Sequence, residues 1–260
     1  MNLDYVPLLR IQRELHEIPR GPTRFKRYLD TIFQQDDLGT RAPLLAMNPM
    51  GKDHVKALLD GLLALDADAA AARVVADASA KLEGVPGVFK TALVVADDLM
   101  GGWTNRYANE FDYRFGGGRS QGGAEQSLPR WLNHFWLFGV LWTSEPPSER
   151  AAREAILAPV YRAAYVCRHG PARKLRDMLA QEGYVLALSG CTEPALDPED
   201  IAYTREMLVP YLDAEDKRTC IECLFGDAAG RTLGFTPRGL SSWAGLALAL
   251  HDARPNLRCT

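Results

Sequence analysis

Residues 88–96, VFKTALVVA, constrain the chain more than any other stretch. Gly87 stands before this continuous β-branched and apolar run, and Asp97 and Asp98 follow it, so turn signals bound it on both sides. A run of this kind is a buried strand. It divides the sequence into three regions: 1–86 reads as helical, 87–145 as sheet with a glycine-rich loop, and 146–260 as helical again.

Two further strands are expected beside it. Over Asn109–Phe115 the pattern alternates with period two, Phe111, Tyr113 and Phe115 against Glu110, Asp112 and Arg114, as a half-buried antiparallel strand would. His134–Trp142 (HFWLFGVLW) is apolar, short enough for a strand, and ends at Ser144, Pro146 and Pro147. The fold class that follows is α+β: a mostly helical, single globular domain over 1–260 with a small central antiparallel sheet of about three strands within 88–142. The loop 116–123 (GGGRSQGG) is too glycine-rich to hold one conformation alone, and it lacks the Gly-Lys-Ser/Thr ending of a phosphate loop.

Helices are read from apolar spacing and its breakers. Leu8, Leu9, Ile11 and Leu15 precede Pro19, and Phe25, Tyr28, Leu29, Ile32 and Phe33 follow Pro22. Asp53 caps a helix carrying Val55, Leu58, Leu59, Leu62 and Leu63, and Asp66 begins an alanine-rich helix that Gly84 and Pro86 stop. Past Ser148, helices are expected through Val166 with a kink at Pro159, then around 175–179, 199–208, 214–225 (with Asp213 as cap) and 241–251.

Composition removes several function classes. With 47% hydrophobic and 24% charged residues the chain can bury a core and is not intrinsically disordered. A formal charge of -3 gives no global drive toward nucleic acid or anionic lipid, although Arg10–Tyr28 holds six Lys/Arg against two Glu, a local +4. Arg150–Arg176 is also basic, and Cys191–Asp227 carries ten Asp/Glu against three Lys/Arg, so the two segments can pack against one another. The absence of a long apolar run or signal-like start, together with five cysteines at irregular spacing, points to a cytoplasmic protein without a disulfide framework.

Chemistry concentrates in 96–114, ADDLMGGWTNRYANEFDYR. The buried strand delivers Asp97 and Asp98 to its C-terminal end. Trp103, Asn105, Arg106 and Tyr107 then supply a flat ring, an amide, a guanidinium and a phenol for binding a small polar or anionic substrate. On a strand, Glu110 and Asp112 project from one face with Cα atoms about 6.6–6.8 Å apart, a pair suited to acid/base work or to a hard divalent metal. His134 would approach Asp97 or Glu110 if the third strand folds beside the first. The competing reading makes Asp97 and Asp98 turn caps and Trp103 a core residue.

A weaker metal site is conceivable from Cys220 and Cys223 with Cys191 and His169, but the Cys-x-x-Cys falls inside an expected helix, where core thiols are the simpler reading. No His-Glu-x-x-His, Gly-x-Ser-x-Gly or Gly-x-Gly-x-x-Gly motif occurs. The sequence thus favours an enzyme working through the carboxylate/Arg/Trp loop. The alternative is a non-catalytic homo-oligomer or interaction protein built on aromatic faces and structural cysteines.

Overall fold

In the computed structural model, residues 1–33, 49–99, 105–116 and 136–257 are described. In chain order the elements are β1 (Asn2–Tyr5), α1 (Leu8–Leu15), α2 (Pro22–Phe33), α3 (Asp53–Ala64), α4 (Ala67–Lys81), β2 (Val88–Ala96), α5 (Arg106–Phe115), β3 (Trp136–Trp142), α6 (Glu149–His169), α7 (Leu175–Leu188), α8 (Pro198–Leu208), a 3-10 turn (Val209–Tyr211), α9 (Lys217–Phe225), α10 (Asp227–Thr232) and α11 (Ala244–Leu257). They form two compact units. The first takes in β1 through Arg106 and β3 through Ala164; the second takes in Tyr107 to the end of α5 and the chain from Tyr165 onward.

The sheet lies in the first unit and is parallel throughout, in the order β1-β2-β3, which corrects the antiparallel expectation. The physical reason is already present in β2. A strand whose residues Ala92 to Ala96 are all fully buried is covered on both faces, as parallel strands between helical crossovers are. The alternating pattern of 109–115 is therefore no sign of an antiparallel partner. Asn109–Phe115 is helix α5, not a strand: its apparent period of two conceals i, i+4 pairs, Phe111 with Phe115 (ring centroids 5.2 Å apart) and Glu110 with Arg114 (2.8 Å). The third strand is instead β1, four residues of mixed polarity within the region expected to be helical only.

Because β1 is short, it pairs with β2 only as far as Tyr5 opposite Thr91. The carbonyls of Gly87 and Thr91 face β1, accepting from Asn2 and Val6, so by strand alternation the peptide groups of Val95 face the same side, beyond β1's end. Gln12 of α1 occupies that place. Its fully buried amide donates from Nε2 to the Val95 carbonyl at 3.1 Å and accepts from the Val95 N–H at 2.8 Å. A side chain thus completes the ladder and docks α1 on β2. The start of α1 has no side-chain cap of its own; the Asp68 carboxylate of α4 lies against the N–H groups of Leu9 and Arg10 and accepts the Tyr5 hydroxyl at 2.6 Å. On the far side, a Cβ at Gly139 of β3 would collide with the Ala155 carbonyl, so glycine is what lets α6 approach this strand.

The second unit is helical in its described residues. Leu175, Ile221, Leu224, Phe225, Ala244 and Leu246 are among its core residues, each nearly or fully buried. Gly183 brings α7 against α11, where any side chain would meet the Ala249 carbonyl. The basic and acidic segments do touch: Lys174 and Arg176 both bind Asp213, at 3.0 and 2.6 Å. These groups are exposed, so the contact adds little stability. The cap of α9 is Asp216 rather than Asp213, its side chain accepting from Thr219 N–H at 2.9 Å.

Candidate functional site

Parallel pairing places the carboxyl ends of neighbouring strands at one edge, and ligands of open parallel sheets bind outside that edge. Here Ala96 pairs with Trp142, so Asp97-Asp98 and Thr143-Ser144-Glu145 emerge side by side. Asp97 is buried. Its Oδ1 accepts from Thr143 Oγ1 at 3.0 Å and from the Leu99 N–H at 3.2 Å, and it lies 2.9 Å from Nε2 of His54 on the first turn of α3. Burial pushes the Asp97 carboxyl up, yet the hydrogen bonds from His54, Thr143 and the Leu99 N–H outweigh it and hold the group below the usual carboxylate value. An ionised carboxylate cannot donate, so Nε2 carries a proton, and in the neutral form of the ring Nδ1 is the acceptor. Nδ1 has no partner among the described residues, and a quarter of the His54 side chain is exposed.

Asp98 organises the adjoining turn. Its carboxylate accepts from Ser144 N–H (2.9 Å), Ser144 Oγ (2.6 Å) and Thr143 Oγ1 (3.1 Å), and Arg106 approaches Oδ2 at 3.4 Å. Arg106 also donates to Ser144 Oγ at 3.1 Å, pairs with Glu145 and lies 5.3 Å over the Trp142 ring. The two hydroxyls are thus turned toward carboxylates, which leaves the imidazole as the group set up for proton transfer.

Of the residues singled out in the sequence, Asp97, Asp98 and Arg106 converge in this way. Asn105 immediately precedes α5. Tyr107 belongs to the second unit, where it packs on Phe225 and Trp243 at ring distances of 5.9 and 5.5 Å. Glu110 is also in the second unit, paired with Arg114. The helical course of α5 separates it from Asp112, which binds Lys217 at 2.6 Å, so the shared strand face expected for the two acids does not exist. Trp103, His134 and residues 117–123 lie outside the described residues.

Cys191, Cys220 and Cys223 are buried and His169 is exposed, its ring tilted against that of Tyr165 with centroids 4.5 Å apart. Burial pushes the thiols of Cys220 and Cys223 up to about 12, so neither is a thiolate at neutral pH. Among the described residues no group of three or more His, Cys, Asp or Glu could hold a metal ion. No described helix is long and apolar enough to cross a membrane.

Sequence reasoning missed His54 and Thr143. The only trace of His54 is its place at a helix start behind Gly51-Lys52-Asp53; Thr143 becomes visible once the strands are known to be parallel. No protein-family model, curated protein or solved structure matches the chain.

Proposed function

We propose that the chain is a general-base enzyme acting on a small polar molecule. His54 Nδ1 accepts the proton from substrate or water, and Asp97 is the positioning residue that fixes the ring. The observation that carries this reading is the 2.9 Å contact between His54 Nε2 and Asp97 Oδ1 at the carboxyl ends of the parallel strands. Such a carboxylate fixes the tautomer and favours the imidazolium formed on proton transfer. Asp98 and Arg106 brace the turn that carries Thr143, a role supported by their mutual contacts and by the Glu145 pairing. The proposed setting is the cytoplasm, supported by the free thiols of Cys167, Cys220 and Cys223.

Two measurements test the reading. Turnover on panels of p-nitrophenyl esters and p-nitrophenyl phosphate is expected to fall by about 10²–10⁴ in His54→Asn with the circular dichroism unchanged; undiminished turnover in that variant would sink the proposal. Nitrogen NMR of the imidazoles checks it without a substrate. The wild-type His54 is expected as the Nε2–H tautomer, and Asp97→Asn is expected to disturb it, whereas an Nδ1–H tautomer in the wild type contradicts the assignment.

A further inference from the structure

A guanidinium taken out of water normally meets a carboxylate, because an uncompensated buried charge is strongly unfavourable. Arg24 of α2 is buried at 7% exposure, and its hydrogen bonds all go to backbone carbonyls: Nε to Ile18 at 2.7 Å, one terminal nitrogen to Gly51 at 3.3 Å and the other to His16 at 3.5 Å. N–H groups on both terminal nitrogens are left without a partner among the described residues. Asp53 favours the charge from a distance but forms no ion pair with it, and burial and the Arg20 charge both act against it.

Two of the carbonyls that Arg24 holds belong to His16 and to Gly51, two residues before α3. His16, also 7% exposed, has no hydrogen-bond partner for Nε2 among the described residues. Burial and the surrounding charges of Arg24, Arg13, His54 and Lys56 push its pKa down to about 4, so the ring is neutral at physiological pH. The first turn of α3 begins two residues after the Gly51 carbonyl that Arg24 holds, and its N-cap residue, Lys52, contributes no side-chain hydrogen bond. Open N–H groups at a helix start favour anions. His54, the proposed base, stands in that same turn. As a mere clamp between α1's end and Gly51, Arg24 would account for the carbonyl bonds. It would leave without a reason both the lack of a paired acid among the described residues and the unpartnered imidazole nitrogen.

We propose that Arg24, His16 and the first turn of α3 form an oxyanion subsite that holds the phosphate or carboxylate of a small substrate beside His54. The word substrate rests on the general-base reading; the anion site itself stands on its own observations.

Calorimetric titration of the full chain with inorganic phosphate and, separately, with acetate at constant chloride tests it. Saturable one-to-one binding of at least one anion is expected, weakened about tenfold or more in Arg24→Gln and in His16→Gln and unchanged in Lys26→Gln, an exposed residue of the same helix. Binding of phosphate alone assigns a phosphate ester, and binding of acetate alone a carboxylate. If Arg24→Gln does not fold, His16→Gln decides. Absence of saturable binding of both anions by the wild type, or equal binding by the folded variants, overturns the subsite. Anion binding together with undiminished turnover in His54→Asn would remove the general-base reading and leave the subsite standing, so the two failures are distinguishable.

Discussion

In the helical unit Arg114 lies between Glu110 and Glu182, and the buried Glu222 lies between Arg218 and Arg238. Among the described residues of the sheet unit, Arg24 meets carbonyls and no paired acid, His16 keeps a ring nitrogen without a partner, and His54 is held on one side and open on the other. Both units bury ionisable groups: Arg114 and Glu222 of the helical unit meet opposite charges, whereas Arg24, His16 and His54 of the sheet unit leave hydrogen-bonding capacity unused among the described residues. Arg114 shows the contrast in its titration: burial pulls its pKa down, yet the two glutamates more than compensate and hold it above the ordinary arginine value. Saturated charge of this kind organises a core; unsaturated charge at the carboxyl edge of a parallel sheet invites a ligand.

Removing one half of a saturated pair should have the largest effect. Glu182→Ala leaves Arg114 with Glu110 alone in a buried setting and is expected to destabilise the protein by about 3–5 kcal/mol in urea unfolding. A loss near zero would show that the helical unit's charges are no better compensated than those of the sheet unit. Next in size is Gln12→Leu, which strands the Val95 peptide groups and should reduce stability by about 1–3 kcal/mol; an unchanged unfolding midpoint would mean that water replaces the amide.

The smallest effect sharpens the comparison through pH. An unfolded His16 takes up a proton near its ordinary value of 6.5, whereas the folded residue does so only at about 4. Between these values the unfolded state binds more protons, so stability is fully present above pH 6.5 and declines as pH falls toward 4. Between pH 7 and pH 4.5 the wild type should lose about 2 kcal/mol more stability than His16→Leu. Parallel pH profiles for the two proteins would mean that the ring is already hydrated in the folded state.

Local rules carried the reading of the sequence a certain distance. The apolar spacing of 8–15 and 22–33, broken by Pro19 and Pro22, placed α1 and α2; the continuous run 88–96 placed β2; and the acidic pair at its end marked the edge where the site is built. What failed was the step from strands to sheet. β1 has too few residues and too mixed a polarity to announce itself, and its pairing with β2 is a contact across more than eighty positions. In α5, seven residues can satisfy a period of two and an i, i+4 pattern at once, and only packing chooses between them. Once the sheet is parallel, Thr143 follows from the pairing of Ala96 with Trp142, and His54 follows only once α3 is placed. Their sequence neighbourhoods contain nothing that would have separated them from ordinary loop and helix-start residues.

The Gln12 amide has a consequence for how the protein behaves among other proteins. A strand that outruns its neighbour leaves peptide groups able to recruit a foreign strand, the usual route to edge-to-edge aggregation. By matching both the donor and the acceptor of Val95, one side chain of α1 closes that position to any incoming backbone, and does so without lengthening β1. Its loss would therefore be felt first in solubility at high concentration, as an opened edge seeking a partner.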